Sequence, residues 1–236
     1  MLLLAVDTST PGGSVAILRD GQVSGVVAAF GREAYSTRLF RQLNFLLEEL
    51  HVEMREFDIF AVAAGPGSFT GLRVGLAAVK GWAEVFGKPI VAVSGLEAVA
   101  AEASMEEQQL IAAVMDARRG QIYAALFRRE GGRLVREGDE HVCTAEEFLA
   151  MVEKQARGRM TRFFSPSPEA IQGALTAAKG VAPAISRSVA RVSPVLAPVI
   201  AELALERAHR GEVTDALRLD ANYIRRTDAE AQWKEP

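Results

Sequence analysis

A chain of 236 residues, 49% hydrophobic and 24% charged, has the length to bury a core as one domain or two small lobes. Its formal charge of −3 leaves no basic footprint for broad nucleic-acid binding of its own. No apolar run approaches the roughly 20 residues of a membrane span, and a single cysteine, Cys143, excludes an intramolecular disulfide and fits a reducing cytoplasm.

The opening Leu2 to Val6 is a continuous apolar run closed by Asp7. It lacks a basic start, so it reads as a first strand and not as a signal peptide. Ser14 to Leu18 and Gln22 to Phe30 flank Asp20-Gly21, a strong hairpin signal. A helix is expected over 36–50 with Ser36 as N-cap. Its Leu39, Leu43, Leu46 and Leu50 form one stripe, which Phe40 and Leu47 widen. Asp58 to Ala64 reads as a buried strand, followed by Gly65-Pro66-Gly67-Ser68-Phe69-Thr70-Gly71-Leu72-Arg73 and a helical pattern over 71–86. Thr70 is the expected N-cap, and a helix start with exposed N–H groups can hold an anion. The run has neither a Walker lysine nor G-x-G-x-x-G, so spacing alone favours a tight turn that brings helix and sheet together over an anion site.

A strand at Ile90 to Val93 and a helix from Leu96 to Ala103 complete a first lobe, 1–104, whose boundary is expected in the polar stretch 104–109. Beyond it the chain restarts. Leu110 to Asp116 is again an apolar strand ending in aspartate, then comes a glycine turn at Gly120, then a strand from Gln121 to Phe127. The second lobe, 105–193, continues with a strand-like segment from Arg133 to Val142 and a capping box, Thr144 with Glu147, that opens a helix. The segment 155–191 is the least legible, with Phe163-Phe164 as a short strand and Pro168 to Lys179 as a helix. A last helix, about 194–211, carries Pro198 in its first turn and is expected to return to the first lobe. The segment 212–236 follows it.

No metal site is expected, since His51, His141 and His209 stand alone and no cysteine pair exists. No Ser/His/Asp or Cys/His arrangement follows from spacing, and Cys143 reads as a small apolar filler. Asp7 and Asp116 each close a strand; such a residue either bonds the amides of its turn or orients a phosphate. Helix 71–86 holds Gly71, Gly75 and Gly81, each costing about 1 kcal/mol relative to alanine. Such a helix either meets another backbone closely or packs tightly on its own sheet.

The nine residues 65–73 resemble the signature of the TsaB family, the bacterial tRNA threonylcarbamoyladenosine biosynthesis proteins, non-catalytic relatives of the enzyme TsaD. Asp116-Ala117-Arg118-Arg119-Gly120-Gln121-Ile122-Tyr123 is similar to a second stretch of that family, and Asn222-Tyr223-Ile224-Arg225-Arg226 with Trp233-Lys234 to its closing segment. Departures are Tyr35 where a histidine is common, Ala221 where proline is usual, and Phe163 to Pro168, which lacks the glycine-rich turn relatives often carry.

The resemblance implies an α/β, two-lobed actin-like ATPase fold of the ribonuclease H-like kind, each lobe a mixed sheet with helices. It implies vestigial phosphate turns at Asp7, Thr8, Ser9 and Asp116, no catalytic residue, and no required cofactor, with ATP or ADP bound at most weakly or shared with a partner. The implied partners are TsaD and TsaE, a second copy of the chain through helices 36–50 and 71–86, and tRNA only within the complex. The helix-pair interface would comprise Arg38, Leu39, Arg41, Gln42, Phe45, Leu46, Gly71, Val74, Gly75, Ala78 and Trp82, with Asn44 as a further polar contact. The rival expectation is an ATP-dependent small-molecule phosphotransferase that uses both aspartates.

Overall fold

The computed structural model describes residues 1–31, 34–103, 107, 109–180 and 182–225. The first unit opens with β1 (Leu2–Asp7), β2 (Ser14–Arg19) and β3 (Gln22–Ala28). Then come α1 (Tyr35–Leu50), β4 (Ile59–Gly65), α2 (Phe69–Phe86) and β5 (Ile90–Ser94). The second holds α3 (Gly95–Ala101), β6 (Leu110–Arg118), β7 (Gln121–Glu130), β8 (Arg133–Cys143), α4 (Ala145–Ala156), β9 (Thr161–Ser165), α5 (Glu169–Ala177) and β10 (Ile185–Arg191). Helix α6 (Ala197–His209) returns to the first unit, where it packs on β1 and β2.

The two sheets repeat one plan. The first runs β3-β2-β1-β4-β5 and the second, read from its other edge, β8-β7-β6-β9-β10. In each, the first three strands are antiparallel neighbours and the last two add in parallel. That order is the ribonuclease H-like lobe of the actin-like fold, so the restart read in the sequence is an architectural repeat.

Burial explains why the first strand of each sheet is a continuous apolar run. Leu4 and Val6 of β1 and Ile17 of β2 pack against Leu39, Leu43 and Leu46 of α1 and Leu72, Leu76 and Val79 of α2. On the opposite face Leu3, Ala5, Ala16 and Leu18 are equally buried, on the side that α6 covers. A strand covered on both faces has no polar alternation to show. In the second unit Leu110, Ala112 and Val114 of β6 meet Phe148, Leu149 and Val152 of α4 and Ile171 and Leu175 of α5. Phe148 and Phe163 lie edge to face at 6.4 Å.

Local chemistry moves several boundaries. The Asp20-Gly21 turn has φ of 52° and 81° at its two central residues, as a tight hairpin requires. Helix α1 starts at Tyr35, after Ala34, so Ser36 lies inside it and is no cap. Helix α2 starts at Phe69, because Ser68 and not Thr70 is the N-cap; its hydroxyl accepts the Gly71 N–H at 3.2 Å. The Thr144 capping box forms as read, with reciprocal bonds to Glu147 of 3.2 and 2.8 Å. The compact units divide after Gly95, ahead of the polar stretch, and Arg129 of β7 ties the C-terminal end of α3 to the second unit through the carbonyls of Ala101 and Ala103 (3.1 and 3.2 Å). The expected boundary stretch 104–109 and the tail carrying Arg226, Trp233 and Lys234 lie in part or wholly outside the described residues. Strand β10 is one the sequence reading missed.

Candidate functional site: the glycine turn, its helix and the helix pair

The turn Gly65 to Ser68 links β4 to α2, and two further chain segments converge on it. The first is the β1 turn. Asp7 is buried, and its carboxylate accepts the Ser9 N–H and hydroxyl at 2.7 and 2.6 Å on one oxygen and the Thr10 hydroxyl at 2.7 Å on the other. Charge-assisted bonds of this length hold the turn shut. Thr8 donates its hydroxyl to the Gly71 carbonyl (2.7 Å), and the Ser68 N–H donates to the Ser9 carbonyl (2.8 Å).

This close approach accounts for the glycines. A Cβ on Gly67 would meet the Ser9 carbonyl oxygen at 2.5 Å; one on Gly71 would strike the Thr8 carbonyl, and one on Gly75 the Thr8 hydroxyl. Of the two readings left open, internal packing holds for Gly71 and Gly75: both are packed against the chain's own β1 turn, the Thr8 backbone at Gly71 and the Thr8 side chain at Gly75. Gly81 differs, because a Cβ there would meet nothing within 4 Å.

The second segment is the chain after α6. Thr214 pairs with Ile90 on the edge of β5 (2.8 and 2.9 Å), Leu219 enters the core, and the Asn222 N–H donates to the Ala64 carbonyl at 2.7 Å. Gly65, at φ +123°, lies under the Asn222 carbonyl, where a side chain could neither take that φ nor fit. The strap ends with the Tyr223 ring 5.0 Å from that of Phe69. Arg73 lies over Phe69 at 3.9 Å and donates from Nε to the Tyr223 hydroxyl at 3.4 Å. A groove of about 520 Å³ opens between the end of α2 and this strap, lined by Glu84, Lys88, Asp215 and Arg218 among others.

The expected helix-pair interface divides in two. Arg38, Leu39, Gln42 and Leu46 are buried within the unit, as are Gly71 and Gly75. Leu39 and Leu46 belong to the core. The Arg38 guanidinium bonds the Ala29 carbonyl at 2.7 Å and reaches those of Pro11 and Gly31 at 3.4 Å, and Gln42 donates to the Gly13 carbonyl at 3.2 Å. These polar side chains close loops of their own sheet. A charge at Leu39 would therefore disrupt the fold and could not report on association. Facing outward are Arg41, Asn44, Phe40 and Phe45 of α1, the last two 48% and 52% exposed. On α2, Val74, Ala78 and Trp82 are half-buried, while Ala77, Gly81 and Val85 are exposed. Phe40 meets Trp82 edge to face at 6.2 Å and Trp82 meets core Phe60 at 6.0 Å, so the aromatic surface is continuous with the interior. Phe40 and Val85 were not among the expected interface residues, although both stand at helical spacing from ones that were.

Asp116, the counterpart of Asp7, is exposed; it accepts the Arg118 N–H at 2.7 Å and sits 3.7 Å from Arg118 Nε. Among the described residues no three histidine, cysteine or acidic side chains gather as a metal site would need, and no helix is long and apolar enough to cross a membrane. Burial, followed by the Glu147 charge, pushes the Cys143 thiol up to about 11, so it is protonated near neutral pH.

Comparison with known proteins places these features. Residues 18–208 match the family model described as TsaD, tRNA N6-adenosine threonylcarbamoyltransferase. The chain is 30% identical to the Bacillus subtilis tRNA threonylcarbamoyladenosine biosynthesis protein TsaB, over all of this chain and 99% of that one. It is 32% identical to the Escherichia coli TsaB over 55% of this chain and 56% of that one. The solved structure of YeaZ from Pseudomonas aeruginosa superposes with a TM-score of 0.77 at 27% identity, covering 94% of this chain and 99% of the other.

Proposed function

This chain belongs to the TsaB family, within the wider group whose family model describes TsaD, and on that premise we propose that it serves threonylcarbamoyladenosine formation in tRNA as a non-catalytic subunit that binds and stabilises TsaD. It works in the cytoplasm beside TsaE, meets tRNA only within that complex, and needs no cofactor of its own; ATP or ADP is held weakly or shared with the partner. The observation that carries the reading is the outward face of α1 and α2, where Phe40, Phe45 and Val85 stand exposed beside Trp82 and the open Gly81. Aromatic side chains of this kind anchor interfaces, and a small residue between them lets a facing helix approach. The same face accepts a second copy of this chain when TsaD is absent. A non-catalytic role is supported by Asp7, whose two carboxylate oxygens are already engaged by Ser9 and Thr10.

Co-purification with TsaD tests this directly. Phe45→Glu and Gly81→Arg should each weaken association at least tenfold while circular dichroism and unfolding midpoint stay near the parent's, since Phe45 is exposed and an added Cβ at Gly81 meets nothing within 4 Å. Undiminished recovery of TsaD by both variants would remove the helix pair from the interface.

A further inference from the structure

The cluster of Phe69, Arg73 and Tyr223 has no part in the helix-pair interface and is more than the fold needs. Arginine is ordinarily a mobile surface side chain, yet here it is held from two sides. Its guanidinium lies 3.9 Å over the Phe69 ring, and its Nε is bonded to the Tyr223 hydroxyl, whose ring in turn packs on Phe69. Arg73 is nonetheless exposed, Tyr223 is 43% exposed, and the two terminal amino groups of Arg73 have no partner among the described residues. It lies one turn into α2, whose N-terminal end carries positive partial charge. A guanidinium fixed in this way offers a flat outer face and a fork of in-plane N–H donors, with the ordering entropy already spent.

Those two features together select a ligand. A protein carboxylate would use the fork and leave the flat face idle. An unpaired nucleotide uses both, its base stacking on the guanidinium plane and its phosphate oxygens accepting from the amino groups. Resting on the function proposed above, we infer that Phe69, Arg73 and Tyr223 form a stacking platform for one unpaired nucleotide of the tRNA substrate. The chain's charge of −3 fits a single local contact that operates in the assembled complex, where other surfaces hold the bulk of the RNA. The strap thereby acquires a role at the site, because the Tyr223 hydroxyl holds the arginine in the plane a base needs.

The experiment is tRNA affinity, by fluorescence anisotropy at fixed ionic strength, of the complex assembled from the full chain, TsaD and TsaE, with TsaD recovery measured on the same samples. Arg73→Ala should lower affinity about five- to tenfold. Arg73→Lys should restore only part of it, because the charge returns without the plane. Tyr223→Phe, which deletes one hydroxyl and keeps the fold, should cost about twofold through loss of positioning. All three should recover TsaD as the parent does. Unchanged affinity with Arg73→Ala overturns the inference. Loss of TsaD by that variant overturns it as well, making Arg73 a protein contact. Failure of the unaltered chain to recover TsaD instead sinks the function on which the inference rests, and the platform's route to tRNA with it.

Discussion

Asp7 ends β1 and Asp116 lies two residues inside the end of the equivalent strand β6, which runs on to Arg118, yet the first is sealed and the second open to solvent. The difference lies in the connection that follows the fourth strand of each unit. In the first unit it reads Gly65-Pro66-Gly67-Ser68 and leads into an 18-residue helix; in the second it reads Ser165-Pro166-Ser167-Pro168 and leads into one of 9 residues. Glycines without Cβ atoms admit the β1 turn against α2, where Ser9 and Thr10 turn inward to Asp7. Side chains in the second connection offer no such seat, and the Ser165 hydroxyl instead accepts the Ser167 N–H at 3.0 Å within its own loop. A glycine signature at a strand–helix junction can thus record a backbone docked on it, even where its spacing evokes an anion site.

The largest expected break in this comparison is steric. Gly71→Val should destabilise by about 3 kcal/mol or more, since its branched side chain meets the backbone of Thr8 and not a flexible side-chain end. Gly173→Ala in α5, where an added Cβ meets nothing within 4 Å, should stabilise by up to about 1 kcal/mol. Urea unfolding midpoints that move in the same direction would dissolve the contrast.

The next effect is polar. Asp7→Ala leaves two buried hydroxyls and an N–H without their acceptor and should cost about 2–3 kcal/mol. Asp116→Ala should stay within about 0.5 kcal/mol, as befits an exposed turn residue. Equal losses in the same unfolding assay would mean that the two turns bear equal load.

The smallest effect belongs to the second unit alone. Glu137 on β8 is clamped by Arg159 at 2.7 and 2.8 Å and by Arg128 at 2.9 Å, and the Arg159 hydrogen bond comes first among the causes that hold its carboxyl below the usual range. A carboxyl with a depressed folded pKa contributes stability that is fully present above the ordinary glutamate value, about 4.3, and is lost as pH falls through the folded value. Amide protection in β7 and β8, taken relative to the intrinsic exchange rate at each pH, should therefore fall below about pH 4. Glu137→Gln should flatten that dependence and cost about 1 kcal/mol or less at neutral pH, because the cluster is partly solvated. An unaltered acid profile in the variant would assign the effect to other carboxyls.

Much of this was legible from residues alone. The two runs Leu2 to Asp7 and Leu110 to Asp116 read as buried strands because both faces are covered, and the Asp20-Gly21 and Thr144–Glu147 signals act within a few residues of themselves. Strand β10, Ile185–Arg191, escaped because Ser186, Arg187 and Ser188 interrupt its apolar residues at a sheet edge that solvent reaches. The N-cap of α2 slipped because two hydroxyl residues two positions apart, Ser68 and Thr70, offer the same chemistry, and only the path of the chain selects one.

The sequence by itself determined the repeated strand–aspartate–hairpin plan, the buried strands, the family signature and the presence of a helix pair richer in apolar residues than one stripe requires. Only the tertiary structure decided which way those residues face. Leu39 and Leu46 went inward while Phe40 and Phe45 stayed out, and Arg38 was buried against carbonyls of the chain just before α1, Ala29 and Gly31, and of Pro11 in the more distant β1–β2 connection. Periodicity fixes the width of an apolar face. It carries no information about which remote backbone will supply acceptors, or press close enough to exclude a Cβ, because those groups arrive only when the sheet has assembled.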